Sequence, residues 1–181
     1  MKSFNLLCKP FCLLSLMAAA LTCSTHAWSE EKPARAPRSY SGMVSRVVDG
    51  DTVWLATADR RAPLKVRMLG IDAPEICQAG GTEAREALRE RLQGRQVRVA
   101  VSGSRSRDDY GRLLGRVFVE DEDVGRWMVS SGQAWSYHYR NSKGPYAPEE
   151  ARAMGSRRGI FARGDAENPR DFRRRHGDCP H

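Results

Sequence analysis

The feature that most constrains this chain is a series of short segments in which apolar and polar residues alternate between turn signals. Three such segments lie between residues 40 and 71, separated by Asp49-Gly50 and by Arg61-Ala62-Pro63, and two more follow at 96–101 and 112–119. These dipeptides and tripeptides are typical of tight turns. Alternation with a period of two is typical of strands that have one buried face. The sequence therefore predicts a run of short strands before residue 120.

Helical spacing of apolar residues appears in three places. The first helix follows Thr82, which is expected to cap it, and stops at Gly94; the second is a short segment after residue 123. The third spans 149–158, with Ala151 and Met154 expected to face the core. Five short strands with three α-helices in a chain of this size predict an α+β fold, a five-stranded closed β-barrel of the OB-fold type.

The first 27 residues have the layout of a secretory signal peptide. Lys2 and Lys9 make a basic region, and residues 11–23 make an apolar run too short to span a bilayer comfortably. An uncleaved membrane anchor and a lipid-modified Cys23 are the alternatives. Residues 28–39 are predicted to be a flexible lead-in, 40–175 one domain and 176–181 a C-terminal tail. The expected location is secreted or periplasmic, with no membrane attachment once the signal is removed.

The chain is basic, with 30 Lys and Arg residues against 22 Asp and Glu and a formal charge of +8. Removing residues 1–27 takes away two lysines and no acids, so the charge falls from +8 to +6. Arginine supplies nearly all of this charge and suits bidentate contacts to phosphate. A basic surface alone is nevertheless a weak indication of nucleic-acid binding.

Five cysteines are present, three of them inside the predicted signal peptide. The mature chain keeps Cys77 and Cys179, and an even pair in an exported protein predicts a single disulfide. No Cys-x-x-Cys motif or His/Cys cluster indicates zinc, so any bound metal would need oxygen ligands.

Charged residues are concentrated in and after the third predicted strand. Arg67 lies on the strand face opposite Val66 and Met68, a face that is also largely apolar. A cation in such a place needs a carboxylate or phosphate partner. If the second and third strands pair, Asp51 and Asp72 converge at their far ends, and two clustered anions suit a hard divalent cation such as calcium. The alternative is that both aspartates only form turns.

Two more charged side chains extend this group. Glu75 follows a stiff proline, so near a metal it could orient or deprotonate a water; as an isolated residue it would be read as a solvated loop glutamate. Arg112 opens the fifth strand. Two arginines beside a metal have one plausible substrate, a phosphodiester whose transition state gains negative charge.

Three strings together resemble the thermonuclease family, the staphylococcal-nuclease-like enzymes. They are VDGDTV at 48–53, VRMLGIDAPE at 66–75 and DYGR at 109–112, and the similarity extends over about residues 43–175. The resemblance implies an OB-fold barrel with three helices that cleaves DNA and RNA with calcium.

Carried over position by position, the resemblance implies roles for single residues. The implied metal ligands are the Asp51 and Asp72 carboxylates and the Ala73 carbonyl, and the implied catalytic residues are Arg67, Glu75 and Arg112. Asp49 would support the ligands from behind, and Tyr110 would line the nucleotide pocket. The base-stacking aromatic is left open among Tyr137, His138 and Tyr139, because they match the family in more than one register.

These expectations define a calcium-dependent nuclease of low specificity that leaves 3′-phosphate ends. Single-stranded or locally melted DNA and RNA are the expected partners, and a monomer is expected. The alternative function is a non-catalytic nucleic-acid-binding barrel, disfavoured because all three catalytic positions and both metal carboxylates are intact.

Overall fold

A computed structural model describes residues 38–101, 106–140, 142–177 and 179. The predicted signal peptide at 1–27 and nearly all of the predicted lead-in lie outside the described residues. No helix in the described part of the chain is long and apolar enough to cross a membrane.

The described residues form eight strands and four α-helices. The strands are β1 (Arg38–Val47), β2 (Thr52–Ala56), β3 (Leu64–Met68), β4 (Ile71–Asp72), β5 (Gln96–Val101), β6 (Leu113–Val119), β7 (Glu122–Asp123) and β8 (Trp135–Ser136). The helices are α1 (Gly81–Leu92), α2 (Val124–Ser130), α3 (Ala147–Gly155) and α4 (Pro169–His176), and a 3-10 helix spans Gly159–Ala162.

Five strands close into a barrel. Their order is β3-β2-β1-β5-β6, and a parallel pairing of β3 with β6 joins the two ends, while β7 extends β6. The long strand β1 pairs antiparallel with both β2 and β5, with an irregular register between Val44 and Arg46 on the β2 side. The predicted five-stranded barrel of the OB-fold type is thus confirmed. Closure leaves no exposed edge among the five barrel strands.

The barrel interior is filled by the inward residues of these strands together with one face of α1. Alternation is regular in β5, where Val97, Val99 and Val101 are buried as predicted. Helix α1 adds the buried side chains of Ala84, Leu88 and Leu92 at helical spacing. The residues of β5 and α1 that the strand and helix periods predict to be buried therefore belong to one core.

The predicted start of α1 is wrong by two residues. The helix begins at Gly81 after Gly80, which has left-handed backbone angles, and no side chain caps it, so Thr82 lies inside the first turn. A Cβ on Gly81 would lie 1.9 Å from the carbonyl oxygen of Glu75. Only glycine permits this close approach, so a tertiary contact with the 75–78 turn sets where the helix starts.

The predicted inward face of α3 is also wrong. The helix spans Ala147–Gly155, and it buries Glu150 and Ala153 while Ala151 and Met154 are exposed. Glu150 is buried because its carboxylate accepts a hydrogen bond from the backbone N of Ser136 at 3.0 Å. A polar contact therefore orients this helix.

The described residues contain four α-helices rather than the predicted three. The additional helix, α4, begins after Asn168, whose side chain accepts a hydrogen bond from the backbone N of Arg170 at 3.0 Å. Pro169 occupies the first turn, where its missing N–H costs nothing. Phe172 is the one large apolar side chain of α4, so no apolar periodicity reveals this helix in the sequence.

Candidate active site

The hairpin of β2 and β3 brings the predicted metal carboxylates together. The strands pair antiparallel with Thr52 opposite Arg67, and the backbone N of Met68 donates to the carbonyl of Asp51 at 2.8 Å. The chain then turns at Gly70, whose φ is 86°, so the third predicted strand is split into β3 and β4. Asp51 Oδ2 accepts from the backbone N of Ala73 at 3.0 Å, which places Asp51 beside the residue after Asp72.

Arg67 contacts both carboxylates. The sequence predicts that a cation on this strand face needs such a partner. Its guanidinium forms ion pairs with Asp51 Oδ2 and, at 3.0 Å, with Asp72 Oδ1. Burial lowers the pKa of Arg67, and the charge of Asp72 opposes that shift. Because arginine is not deprotonated in proteins, the group stays protonated and the pair remains ionic.

Asp49 supports this arrangement from behind. Its Oδ1 accepts from the backbone N of Asp51 at 2.9 Å, which orients the Asp51 backbone towards the site. Burial raises the pKa of Asp49, while the charge of Arg67 and a hydrogen bond from Thr52 lower it. The implied supporting position of Asp49 matches this geometry.

Arg112 lies at the edge of the same group. It precedes β6, which pairs in parallel with β3 so that Val66 lies opposite Leu113. Arg112 Nε donates to Asp108 Oδ2 at 2.7 Å, and its Nη1 lies 3.4 Å from Thr52 Oγ1. Thr52 Oγ1 in turn donates to Asp51 Oδ1 at 3.1 Å, so one hydroxyl links Arg112 to the carboxylates. Burial would raise the pKa of Asp108, but hydrogen bonds from Arg112 leave it lowered.

A third arginine, Arg173 of α4, enters the site and was not predicted. Its Nη1 donates to Asp72 Oδ1 at 3.2 Å and to Glu75 Oε1 at 2.7 Å, and its Nη2 donates to Asp72 Oδ2 at 3.0 Å. Burial would lower the pKa of Arg173, but these hydrogen bonds raise it. The one signal in the sequence is the arginine-rich run at 170–175 close to Cys179, which the predicted disulfide fastens near residue 77.

The predicted disulfide between Cys77 and Cys179 is present, with the cysteines 102 residues apart. It fixes the C-terminal segment beside the turn that carries Glu75. Gln78 adds to this attachment, because its Nε2 donates to the carbonyl of Glu167 at 2.7 Å and its Oε1 accepts from the backbone N of Glu75 at 3.1 Å.

The three predicted nucleotide-contacting tyrosines lie in different surroundings. Tyr110 is 78 % exposed, and the Arg112 guanidinium lies 5.3 Å from its ring centroid. Tyr137 lines a groove of about 340 Å³ together with Asp72, His138, Arg170 and other residues of α4. Tyr139 is exposed and stacks with its neighbour Arg140, and it is not among the residues that line this groove. The geometry therefore favours Tyr137 over Tyr139 as a ring beside the site.

The carboxylate oxygens of Asp51 and Asp72 are of the type that a hard divalent cation prefers, but they are too few to complete its coordination. Asp51 and Asp72 are 4 % and 3 % exposed, and their buried oxygens already hold positive charge in the form of Arg67 and Arg173. Within the described residues no group of three or more His, Cys, Asp and Glu side chains could hold a metal. Calcium takes roughly six to eight oxygen ligands, so water, backbone carbonyl or substrate oxygens would have to supply the rest.

Comparison with known proteins identifies the family to which this chain belongs. A family model described as staphylococcal nuclease homologue matches residues 65–163, which is more than half of the chain. The chain belongs to the staphylococcal nuclease homologue family. The matched segment includes Arg67, Asp72, Glu75 and Arg112, while Asp51 lies before it and Arg173 lies after it.

Several relatives of this family align with most of the chain. A protein named ParB of Escherichia coli is 34% identical over 167 residues, which cover 86% of each chain. A micrococcal nuclease of Shigella flexneri is 30% identical over 168 residues, covering 87% of this chain and 88% of the relative. An uncharacterized endonuclease of Escherichia coli O157:H7 is 33% identical over 135 residues, covering 74% and 85%. The predicted membership of the thermonuclease family is confirmed.

Proposed function

We propose that this chain is an exported, calcium-dependent nuclease that hydrolyses phosphodiester bonds in DNA and RNA with low sequence specificity. Family membership and the nuclease relatives support the nuclease activity. The observation that carries the proposal is that Asp51, Arg67 and Asp72 meet at one end of the β2–β3 hairpin and that Arg173 links Asp72 to Glu75. Arg112 is linked to them through Thr52.

Each charged side chain has a role in phosphodiester hydrolysis. Asp51 and Asp72, with the Ala73 carbonyl, would hold calcium, which when bound supplies a Lewis acid beside the phosphate. Arg67 and Arg112 donate hydrogen bonds to the phosphate oxygens, where negative charge develops as water attacks. Glu75 accepts the proton of the attacking water. The bond between phosphorus and the 5′-oxygen breaks, and the 5′-oxygen leaves with a proton taken from solvent, so the products carry a 3′-phosphate.

Low specificity follows from the kinds of groups that the site presents. Guanidinium and carboxylate side chains recognise phosphate, which carries no sequence information. Exposed rings such as Tyr110 and Tyr137 offer faces on which any unpaired base can stack. We therefore propose a preference for single-stranded or locally melted DNA and RNA.

Export is supported by the signal-like residues 1–27 and by the disulfide, because disulfides persist in oxidising compartments. We propose that the mature protein is secreted or periplasmic and acts as a monomer. Size-exclusion chromatography with light scattering tests the monomer, and N-terminal sequencing of the exported protein tests the cleavage site.

The direct test is cleavage of labelled single-stranded and duplex DNA and RNA by the purified protein, with calcium and then with excess chelator. We expect calcium-dependent degradation of all four substrates, fastest for the single strands, with fragments that lose a 3′-phosphate on phosphatase treatment. The Arg67→Lys variant serves as the control for contaminating nucleases. No degradation with calcium present would contradict the proposal.

The second candidate function is nucleic-acid binding without cleavage. It is favoured by one observation, that Arg67 and Arg173 already neutralise the carboxylates that a metal would need. Retention of an oligonucleotide with calcium, with no fragments formed, would support this candidate over the nuclease.

A further inference from the structure

We propose that Arg173 of α4 is a third phosphate-binding residue of this site, in addition to Arg67 and Arg112. In the substrate-free protein its guanidinium neutralises Asp72 and Glu75, and it moves to a phosphate oxygen when substrate enters. The proposal rests on the proposed function in its choice of ligand, a phosphate ester, and it names a residue ten positions beyond the segment that matches the family model at 65–163.

The contacts of Arg173 resemble those that guanidinium groups make to phosphate. Two of its nitrogens donate to the two oxygens of Asp72, at 3.2 and 3.0 Å, in a bidentate arrangement. The N–H groups of a guanidinium form a planar fork that can donate two parallel hydrogen bonds. This fork binds the oxygens of carboxylates and of phosphates alike. A phosphate oxygen arriving between Asp72 and Glu75 therefore meets a donor of the correct geometry.

The position of Arg173 also suits contact with an incoming substrate. Its side chain is 30% exposed, against 17% for Arg67, and the Asp72 side chain beneath it is 4% exposed. Arg173 thus contacts the Asp72 carboxylate from the more exposed side, and Arg67 contacts it from the more buried side. A ligand that approaches from solvent reaches Arg173 before Arg67.

Charge balance gives a reason for Arg173 to move. Asp51, Asp72 and Glu75 carry three negative charges, and Arg67 and Arg173 carry two positive ones, so this group has one net negative charge. A bound divalent cation would change the net charge to one positive. A phosphodiester, with one negative charge, would then neutralise the group. Moreover, Arg173 occupies Oε1 of Glu75, one of the two oxygens through which this carboxylate could take a proton from water.

Helix α4 keeps Arg173 at the site during such an exchange. The helix is attached by the Cys77–Cys179 disulfide, by the hydrogen bond from Gln78 to the Glu167 carbonyl, and by the buried Pro169. Rotation about the side-chain bonds of Arg173 is then sufficient to move its guanidinium, and no movement of the helix is needed.

The test separates phosphate binding from two other roles, an inhibitory ion pair and a structural brace. Arg173→Gln removes the charge and the fork, Arg173→Lys keeps the charge without the fork, and Arg175→Gln is the matched control. Arg175 lies on the same helix with its side chain 61% exposed and pairs with Glu167, so its loss changes the net charge equally. Circular dichroism and thermal melting establish that each variant is folded.

Two affinities are measured by calorimetry: calcium alone, and thymidine 3′-monophosphate at saturating calcium. We expect Arg173→Gln to weaken nucleotide binding about tenfold, the order of one lost charge-assisted contact, while calcium binds at least as tightly as to the wild type. The nucleotide affinity of Arg173→Lys should lie between those of the wild type and Arg173→Gln. The nucleotide affinity of Arg175→Gln should match that of the wild type. If Arg173→Gln does not fold, the same comparison of Arg173→Lys with the wild type decides.

Three results would overturn the proposal. Tighter binding of both ligands to Arg173→Gln would mean that Arg173 only blocks the site. Unchanged nucleotide affinity with a lowered melting temperature would mean that it only braces the fold. Absence of nucleotide binding to the wild type would remove the phosphate site. Because thymidine 3′-monophosphate contains no phosphodiester bond, these outcomes are independent of whether the protein cleaves nucleic acid.

Discussion

The Cys77–Cys179 disulfide gives the most quantitative prediction. The double variant Cys77→Ser/Cys179→Ser opens a loop of 102 residues. In the chain-entropy model, closing a loop of about 100 residues restricts the unfolded chain enough to stabilise the fold by roughly 4.7 kcal/mol, and measured values are often lower. The closed loop includes α1, β5, β6 and all later elements, so the constraint acts on most of the domain.

This free energy converts into a change of melting temperature. An unfolding entropy of about 2.1 cal/mol/K per residue gives roughly 0.3 kcal/mol/K for a domain of about 140 residues. A loss of 4.7 kcal/mol therefore lowers the melting temperature by about 16 °C, and we expect a decrease of roughly 8 to 16 °C, since engineered removal seldom reaches the full value.

Thermal melting of the wild type and the double variant by circular dichroism measures the shift. Reducing the wild type should reproduce the effect, and the double variant should not respond to reductant. A free-thiol titration of the unreduced, denatured wild type should find no reactive Cys77 or Cys179. A decrease below about 3 °C, with the disulfide confirmed, would refute the loop argument.

The other predictions concern single substitutions in and beside the site. Arg67→Lys keeps the charge but loses the fork that joins Asp51 to Asp72, so turnover should fall at least about 100-fold in a cleavage assay. Glu75→Gln cannot accept a proton, so turnover should fall by about 10²–10⁴ with calcium affinity nearly unchanged; near-normal turnover would exclude Glu75 as the base. Asp51→Asn should weaken calcium binding in calorimetry, and an unchanged affinity would argue against Asp51 as a ligand. Gly81→Ala places a Cβ 1.9 Å from the Glu75 carbonyl oxygen, so the free energy of unfolding should drop by about 1–3 kcal/mol in urea titration, whereas an unchanged value would mean that the 75–78 turn yields easily.

Local patterns predicted that the charged residues of β2 and β3 would come together, whereas their roles followed only from the family resemblance. The Arg61-Ala62-Pro63 turn and the alternation in β2 and β3 indicate that these two strands pair, and antiparallel pairing brings Asp51 and Asp72 to the same end. Arg67, a cation on a largely apolar face, needed a partner, and the structure supplies both carboxylates. These features depend on contacts between neighbouring strands, which the sequence encodes by its period.

Features that depend on distant parts of the chain were not predicted. Arg173 reaches Glu75 across 98 residues, and α4 has no apolar stripe that would reveal which side faces the site. The start of α1 depends on the space between Gly81 and the Glu75 carbonyl, and the face of α3 depends on a carboxylate that binds a distant backbone N–H. Tertiary contacts override local propensity at each of these places.

The attachment of α4 makes Arg173 an internal competitor whose effective concentration the disulfide sets. A cation that needs Asp72 can bind only in the fraction of molecules from which Arg173 has withdrawn, so its apparent affinity is the intrinsic affinity reduced by that fraction. Under the proposed calcium binding, each tenfold preference of Arg173 for the two carboxylates would raise the calcium concentration needed for half-occupancy tenfold. We expect reduction of the disulfide to lower the effective concentration of Arg173 at the carboxylates and with it that threshold, so the same bond would set both the stability of the fold and the ion concentration to which the site responds.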